Sequence, residues 1–152
     1  MIEIGNKAPN FKLASSNGET ISLNSFKDKN ILIYFYPKDA TPGCTKQAIG
    51  FTEHADEFEK RNTIVLGISP DSLASHEKFI KKHNLNVILL ADEEKQAIES
   101  YGVWKEKKMY GRTFMGVERS TFLVDRTGTV KAIWRKVKVA KHIQEVLEEL
   151  DK

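Results

Sequence analysis

The sequence predicts an α/β fold in which a β-hairpin precedes a mixed central sheet flanked by helices. Three observations predict it: an Asn17-Gly18 pair between two short alternating segments, apolar runs rich in β-branched and aromatic residues, and intervening segments with helical spacing. Strands that alternate with helices form right-handed crossovers and a largely parallel sheet. From its length we expect one domain over residues 1–152.

The first half of the chain predicts a hairpin, two buried strands and the helix between them. The hairpin is FKLASSNGETISL, and the strands are NILIYFYP, which Pro37 ends, and TIVLGIS, which Pro70 ends. Apolar residues at helical spacing predict one helix from Thr45 to Lys60. These apolar positions are Ala48, Ile49, Phe51, Ala55 and Phe58.

The second half predicts two more helices around a strand, then a hairpin and a closing helix. DSLASHEKFIKKHN is an amphipathic helix, NVILLAD a strand and EEKQAIESYG a short helix that Gly102 ends. VWKEKKMYGRTFMGVE is expected to be irregular. RSTFLVD and TVKAIWRKV form the hairpin, and VAKHIQEVLEEL is the last helix. This order of elements resembles the thioredoxin-like fold.

The charge of the chain is unevenly distributed. The net charge is +3, but residues 102–141 carry eleven Lys and Arg against three acidic residues. Such a basic region is usually a solvated surface, and it can also attract an anionic partner. Nucleic acid is not expected, because no zinc-finger spacing or arginine-glycine repeat is present. A non-catalytic binding module that uses this basic face is therefore an alternative function.

The cysteine count and the hydropathy favour a cytoplasmic protein. A single cysteine excludes an intrachain disulfide and fits a reducing compartment. The first residues, MIEIGNKAPN, lack a basic segment followed by an apolar one, so we expect no secretory signal. The longest apolar runs are too short to span a bilayer, so we expect no membrane partner.

The one cysteine, Cys44, lies at a predicted loop-to-helix junction, Pro42-Gly43-Cys44-Thr45. A helix start favours the thiolate over the thiol, and Gly43 lets the backbone approach a ligand closely. Thr41 adds a hydroxyl that can donate or accept. A lone cysteine is also commonly a small core residue, so both interpretations remain open from its position alone.

The segment PKDATPGCT fits the P-x-x-x-T-x-x-C pattern of peroxiredoxins, which are thiol peroxidases on a thioredoxin-like fold. YFYPKDATPGCTKQAIGF, GVERSTFLVD and the opening GNKAPNFKL resemble the peroxiredoxin Q, or bacterioferritin-comigratory, subfamily over residues 4–150. The resemblance implies an antioxidant enzyme of cell redox homeostasis. It would reduce hydrogen peroxide and organic hydroperoxides through a cysteine sulfenic acid, without a cofactor or a metal.

The resemblance also implies four site residues. Cys44 would be the peroxidatic cysteine, and Thr41 would hydrogen-bond the peroxide oxygens and the sulfur. Pro37 would shape the loop and shield the thiolate, and Arg119 would stabilise the thiolate and the charge on the leaving oxygen. The topology supports Arg119 independently, because RSTFLVD is expected to run antiparallel beside ILIYFYP, so that its start meets the loop before Cys44.

The sequence departs from the subfamily at Ile49, where many members have a second cysteine. No other cysteine is present, so the sulfenic acid must be resolved from outside the chain. The Cys44 of a second subunit is a disfavoured route, because two recessed cysteines at helix starts would have to meet, so we expect an external thiol. The reductant would be thioredoxin, a glutaredoxin or a small thiol, and the protein would be a monomer or a weak homodimer.

Two further groups of residues have other possible roles. The four histidines, at positions 54, 76, 83 and 142, lack the spacing of a zinc site, so we expect no metal. Five large side chains fall in the segment that we expect to be irregular. They are expected to be core, although they could wall the pocket or bind a partner: Trp104, Met109, Tyr110, Phe114 and Met115.

Overall fold

A computed structural model of the chain describes residues 2–26 and 28–152. Nine strands, five α-helices and one short 3-10 helix (Leu23–Phe26) make up this part of the chain. The strands are β1 (Lys12–Ser15), β2 (Thr20–Ser22), β3 (Asn30–Phe35), β4 (Thr63–Ser69), β5 (Ile88–Ala91), β6 (Trp104–Met109), β7 (Arg112–Val117), β8 (Ser120–Val124) and β9 (Val130–Trp134). The helices are α1 (Pro42–Glu53), α2 (Ala55–Lys60), α3 (Leu73–His83), α4 (Gln96–Ser100) and α5 (His142–Leu150).

Seven strands form one mixed sheet in the order β2-β1-β5-β4-β3-β8-β9. The central strands β3, β4 and β5 are parallel; β8 pairs antiparallel with β3, and β9 pairs antiparallel with β8. The predicted α/β fold with a mixed sheet and an N-terminal hairpin is thereby confirmed. The carboxyl end of β3, where ligands gather in open sheets of this kind, leads through residues 36–41 into α1.

The core has two parts, one on each face of the sheet. Strand β3 contributes to both, because successive side chains of a strand point to opposite faces. Phe35 packs with Phe122 and Tyr101 on one face. Tyr34 packs with Phe51 on the other face, in the cluster that also contains Cys44. Burial on both faces explains the uninterrupted apolar run of β3 in the sequence.

The helix predicted for residues 45–60 is wrong at its start and in its middle. It begins at Pro42 because a proline at the first helical position gives up only an N–H that has no partner within the helix. The helix is interrupted at His54, which ends α1 and precedes α2. The His54 ring nitrogen Nδ1 lies 2.8 Å from the carbonyl oxygen of Gly50, which also accepts from the His54 backbone N–H.

The irregular segment predicted for residues 103–118 is instead a two-stranded hairpin of β6 and β7, separate from the main sheet. Tyr110 and Gly111 form its two-residue turn, and both have positive φ, as tight hairpin turns require. Because little structure covers this hairpin, the expected core role is wrong for four side chains. The exposed residues are Met109, Tyr110, Phe114 and Met115, whereas Trp104 packs against the core.

The helices are short, and α1 is the longest with twelve residues. The structure offers no membrane-spanning helix in the part of the chain that it describes.

Helix α3 is well delimited, since the Ser72 hydroxyl accepts from the backbone N–H of Ser75 at its start and Asn84 takes a left-handed conformation at its end.

Candidate active site

Cys44 lies in the first turn of α1 and is 2% exposed. Thr41 is the extended residue before the helix, Pro42 begins it, and Cys44 is the third helical residue. The backbone N–H groups of a first turn lack partners within the helix, and the helix dipole is positive at this end. The surroundings of Cys44 therefore favour a negative charge on its sulfur.

Arg119 reaches Cys44 through the pairing of β8 with β3. Ser120 pairs with Phe35 at the carboxyl end of β3, so Arg119, one residue earlier, lies where the chain leaves β3 for α1. Its Nη2 donates to the Sγ of Cys44 at 3.3 Å, and its Nη1 donates to the Oε1 of Gln47 at 2.6 Å. The two residues, 75 positions apart, are adjacent, as the antiparallel pairing predicts; their catalytic roles stay predictions.

The Arg119 guanidinium lies between Gln47, which the sequence reasoning did not place in the site, and Gly43, which it did. Gln47 is buried one helical turn after Cys44 on the same face of α1, and its carbonyl oxygen fixes one side of the fork. Gly43 lines the other side, where an added Cβ would lie 3.1 Å from Nη2. The available sequence signal for Gln47 was a glutamine three residues after the cysteine, one turn along the predicted helix.

Thr41 and Pro37, the other two predicted residues, lie on the loop that carries Cys44. The Thr41 hydroxyl donates to the carbonyl oxygen of Lys38 at 2.8 Å, so its hydrogen points into the loop. Its lone pairs can still accept a hydrogen, or the hydroxyl can rotate to donate. Pro37 is half-buried and directly follows Tyr36, where the backbone pairing with β4 ends.

A buried network beneath this loop was not predicted. Asp39 accepts from the hydroxyl of Tyr36 at 2.6 Å and pairs with the Nδ1 of His76 at 2.7 Å, while its backbone N–H donates to Asp71. The His76 Nε2 lies 3.0 Å from the carbonyl oxygen of Leu90. His76 thus contacts Asp39 through one ring nitrogen and β5 through the other, and the pair ties the loop to α3.

The electrostatics of Asp39 agree with that pairing. Burial by itself raises the pKa of the Asp39 carboxyl, but hydrogen bonds from His76 and Tyr36 outweigh it and the pKa is lowered. Asp39, Asp71 and His76 place one ligand atom each within 4.8 Å of one another. These atoms already bond to protein groups, so the cluster is explained as a hydrogen-bonded anchor for the loop.

Aromatic side chains form the wall of the core next to Cys44. Tyr34 stacks on Phe51 and Tyr36, with ring centroids 4.7 and 5.5 Å apart. Its ring and hydroxyl occupy the space where Gly67 has no side chain. Burial raises the pKa of Tyr34, and the nearby charge of Cys44 acts in the same direction. This tyrosine therefore stays neutral and contributes an apolar surface beside the sulfur.

Gly43→Ala is expected to slow alkylation of Cys44 by iodoacetamide about 3- to 10-fold at neutral pH, because its Cβ would displace Nη2 and weaken a charge-assisted hydrogen bond. The helix itself should not lose stability, since alanine is favoured over glycine in helices by about 0.5–1 kcal/mol. The alkylation rates of the variant and the wild type are measured, and thermal unfolding of both proteins checks that the stability is unchanged. An unchanged alkylation rate would show that Arg119 accommodates the methyl group.

Comparison with known proteins places this geometry in one family. Residues 4–133 match the AhpC/TSA family. The peroxiredoxin Bcp of Bacillus subtilis is 48% identical over 149 residues, which cover 98% of this chain and 95% of that protein. The peroxiredoxin Bcp of Escherichia coli K12 is 40% identical over 146 residues, covering 96% of this chain and 94% of the other.

Solved structures agree with the sequence relatives. A cysteine-to-serine mutant of Xylella fastidiosa PrxQ superposes with a TM-score of 0.94 at 35% identity and covers 99% of this chain and 96% of its own. The bacterioferritin comigratory protein of Xanthomonas campestris, studied for alkyl peroxide reduction, gives a TM-score of 0.88 at 40% identity. That match covers 93% of this chain and 90% of the other.

Proposed function

The chain belongs to the AhpC/TSA family, within the Bcp or PrxQ peroxiredoxins, and we propose that it reduces peroxides at Cys44. Membership makes the chain a thiol-dependent peroxidase on a thioredoxin-like fold, and a non-catalytic binding module is not favoured. The observation that supports Cys44 as the reactive residue is its hydrogen bond with Arg119, whose guanidinium donates to the Cys44 sulfur at 3.3 Å. We further propose that residues 1–152 act as one domain.

In the proposed first step, the Cys44 thiolate attacks the terminal oxygen of a hydroperoxide. A sulfur–oxygen bond forms, the oxygen–oxygen bond breaks, and its electron pair leaves with the second oxygen, which takes up a proton as water or an alcohol. Cys44 is left as a sulfenic acid. Arg119 stabilises the thiolate before the attack and the departing oxygen during it, because its fork presents several donors in one plane.

The neighbouring residues position these groups. Gln47 holds one arm of the Arg119 fork, so the other arm remains directed at the sulfur. The oxygen of Thr41 accepts the hydrogen of the incoming hydroperoxide, and rotation of the hydroxyl lets it donate to the sulfur or to the peroxide oxygens. Pro37 closes the loop over Cys44 and limits the access of water to the thiolate.

The second half of the cycle requires an external thiol, since Cys44 is the only cysteine. A thiol attacks the sulfenic sulfur to give a mixed disulfide and water, and a second thiol then releases the Cys44 thiolate as a new disulfide forms. We propose a small thiol or a thioredoxin- or glutaredoxin-like protein as reductant. Hydrogen peroxide and alkyl hydroperoxides are the proposed substrates, and a monomer or weak homodimer is the proposed state.

Intact mass spectrometry tests this proposal. After one equivalent of hydrogen peroxide, the mass of the protein should rise by one oxygen atom, and a small thiol added afterwards should give a mixed disulfide and then the starting mass. Each candidate thiol is tested in turn, which also identifies the resolving route. A chain of unchanged mass, or two chains joined covalently before any thiol is added, would contradict the proposal.

A further inference from the structure

The hairpin of β6 and β7 carries one lysine in an unusual position. Lys107 pairs directly with Phe114, so the two side chains lie on the same face of the hairpin. The next position of β7 on that face is Gly116. Lys107 is half-buried, whereas its neighbour Lys108, on the opposite face, is exposed.

The missing side chain of Gly116 makes room for the stem of Lys107. A Cβ added at Gly116 would lie 3.3 Å from the Cδ and 3.5 Å from the Cε of Lys107. The stem therefore runs from its pairing position opposite Phe114 along β7 toward Gly116. Val117 ends β7, and Arg119 follows two residues later. The ammonium is thus directed toward the end of the hairpin that adjoins the peroxide site.

The charges that act on Lys107 are those of the site. Burial is the largest cause of a lowered pKa for this ammonium, and the positive charge of Arg119 acts in the same direction. The charges of Cys44 and Glu118 oppose the shift. Lys107 is therefore a half-buried cation whose pKa responds to the charges of both the sulfur and the guanidinium. A partly buried charge is screened less by salt than an exposed one.

We propose that Lys107 is a second cation of the peroxide site, positioned through Gly116, which stabilises the negative charge as it passes from the Cys44 sulfur to the leaving oxygen. No bond to Lys107 is made or broken in this role. The inference rests on the proposed function and adds to it a charge from a segment outside the main sheet. The hairpin of β6 and β7 thereby takes part in catalysis by positioning Lys107.

The test compares Lys107→Met with Lys108→Met, which removes the same charge from the adjacent position on the other face. Single-turnover oxidation of Cys44 by hydrogen peroxide is followed by mass at a series of pH values. Lys107→Met should be oxidised about 3- to 10-fold more slowly near neutral pH, with its rate-against-pH curve moved to higher pH, because a cation near the thiolate is lost. Lys107→Arg should largely restore the rate, and Lys108→Met should match the wild type.

Gly116→Val provides a second variant, because it keeps the lysine and fills the space of its stem. We expect it to reproduce the slower oxidation and the shifted curve. If Lys107→Met and Gly116→Val both follow the wild-type curve while wild-type Cys44 is oxidised normally, this inference fails and the proposed function stands. If wild-type Cys44 is not oxidised at all, the proposed function fails and this inference with it.

Discussion

Cys44→Ser is expected to abolish peroxide reduction completely and to leave the fold intact. A serine hydroxyl is almost the shape of the thiol, so it fits the buried site and can still accept from Arg119. A hydroxyl gives up its proton far less readily than a thiol, so the nucleophile is lost. Thiol-dependent peroxide consumption measures the loss, and circular dichroism with thermal unfolding checks the fold.

The Cys44→Ser variant also tests whether peroxide oxidises a methionine instead of Cys44. Met109 and Met115 are about half exposed, at 56% and 49%, and a thioether also gains one oxygen from peroxide. A double variant, Met109→Leu with Met115→Leu, should keep the wild-type rate and the wild-type gain of one oxygen. If Cys44→Ser gains an oxygen as fast as the wild type does, the oxidised residue is not Cys44. Addition of a thiol separates the two cases further, because it reverses a sulfenic acid and not a sulfoxide.

The parts of the fold that the sequence predicted correctly are those in which burial imposes a pattern. Strand β3 is covered on both faces, so its apolar run is unbroken and its identity as a strand is clear. The meeting of Arg119 with Cys44 followed from topology, because an antiparallel neighbour of β3 must bring its start to the end of that strand. Here a contact between residues far apart in the chain depended only on the order and direction of strands.

The hairpin of β6 and β7 could not be predicted in the same way. It stands apart from the main sheet and is largely exposed, so its residues do not alternate between apolar and polar. Its turn, Tyr110-Gly111, lacks the Asn or Asp that usually marks such turns, although both residues have positive φ. A position of Lys107 near the peroxide site therefore could not be read from the sequence.

The network around Asp39 shows a second limit. Asp39 and His76 are 37 positions apart, and from the sequence each residue alone is expected to be an ordinary polar group on the surface. Their burial is favourable only because each finds its partner, together with Tyr36 and the Leu90 carbonyl. Such mutual satisfaction is a property of the folded arrangement. In contrast, Gln47 lies one helical turn from Cys44, and helical spacing alone could have identified it.

Arg119→Met is expected to slow the oxidation of Cys44 about 100-fold, which is the usual effect of removing one donor that stabilises charge in a transition state. Methionine keeps much of the length and volume of the arginine stem, so the packing beside Gly43 and Gln47 should persist. The loss should fall on the rate of the chemical step more than on peroxide binding, because the charge on the leaving oxygen develops only during the reaction. Single-turnover kinetics over a range of peroxide concentrations separates the two.

Arg126→Met is the matched control, because Arg126 is an exposed arginine in the turn after β8, at the far end of that strand from Arg119. It should react at the wild-type rate. The rate of Arg119→Lys is expected to fall between those of the two methionine variants. A lysine ammonium keeps the positive charge, but it lacks the planar fork with which Arg119 bonds Cys44 and Gln47 at the same time. If Arg119→Met folds normally and is oxidised as fast as Arg126→Met, the hydrogen bond to the sulfur is structural and the charge must be stabilised by the helix start and Lys107 instead.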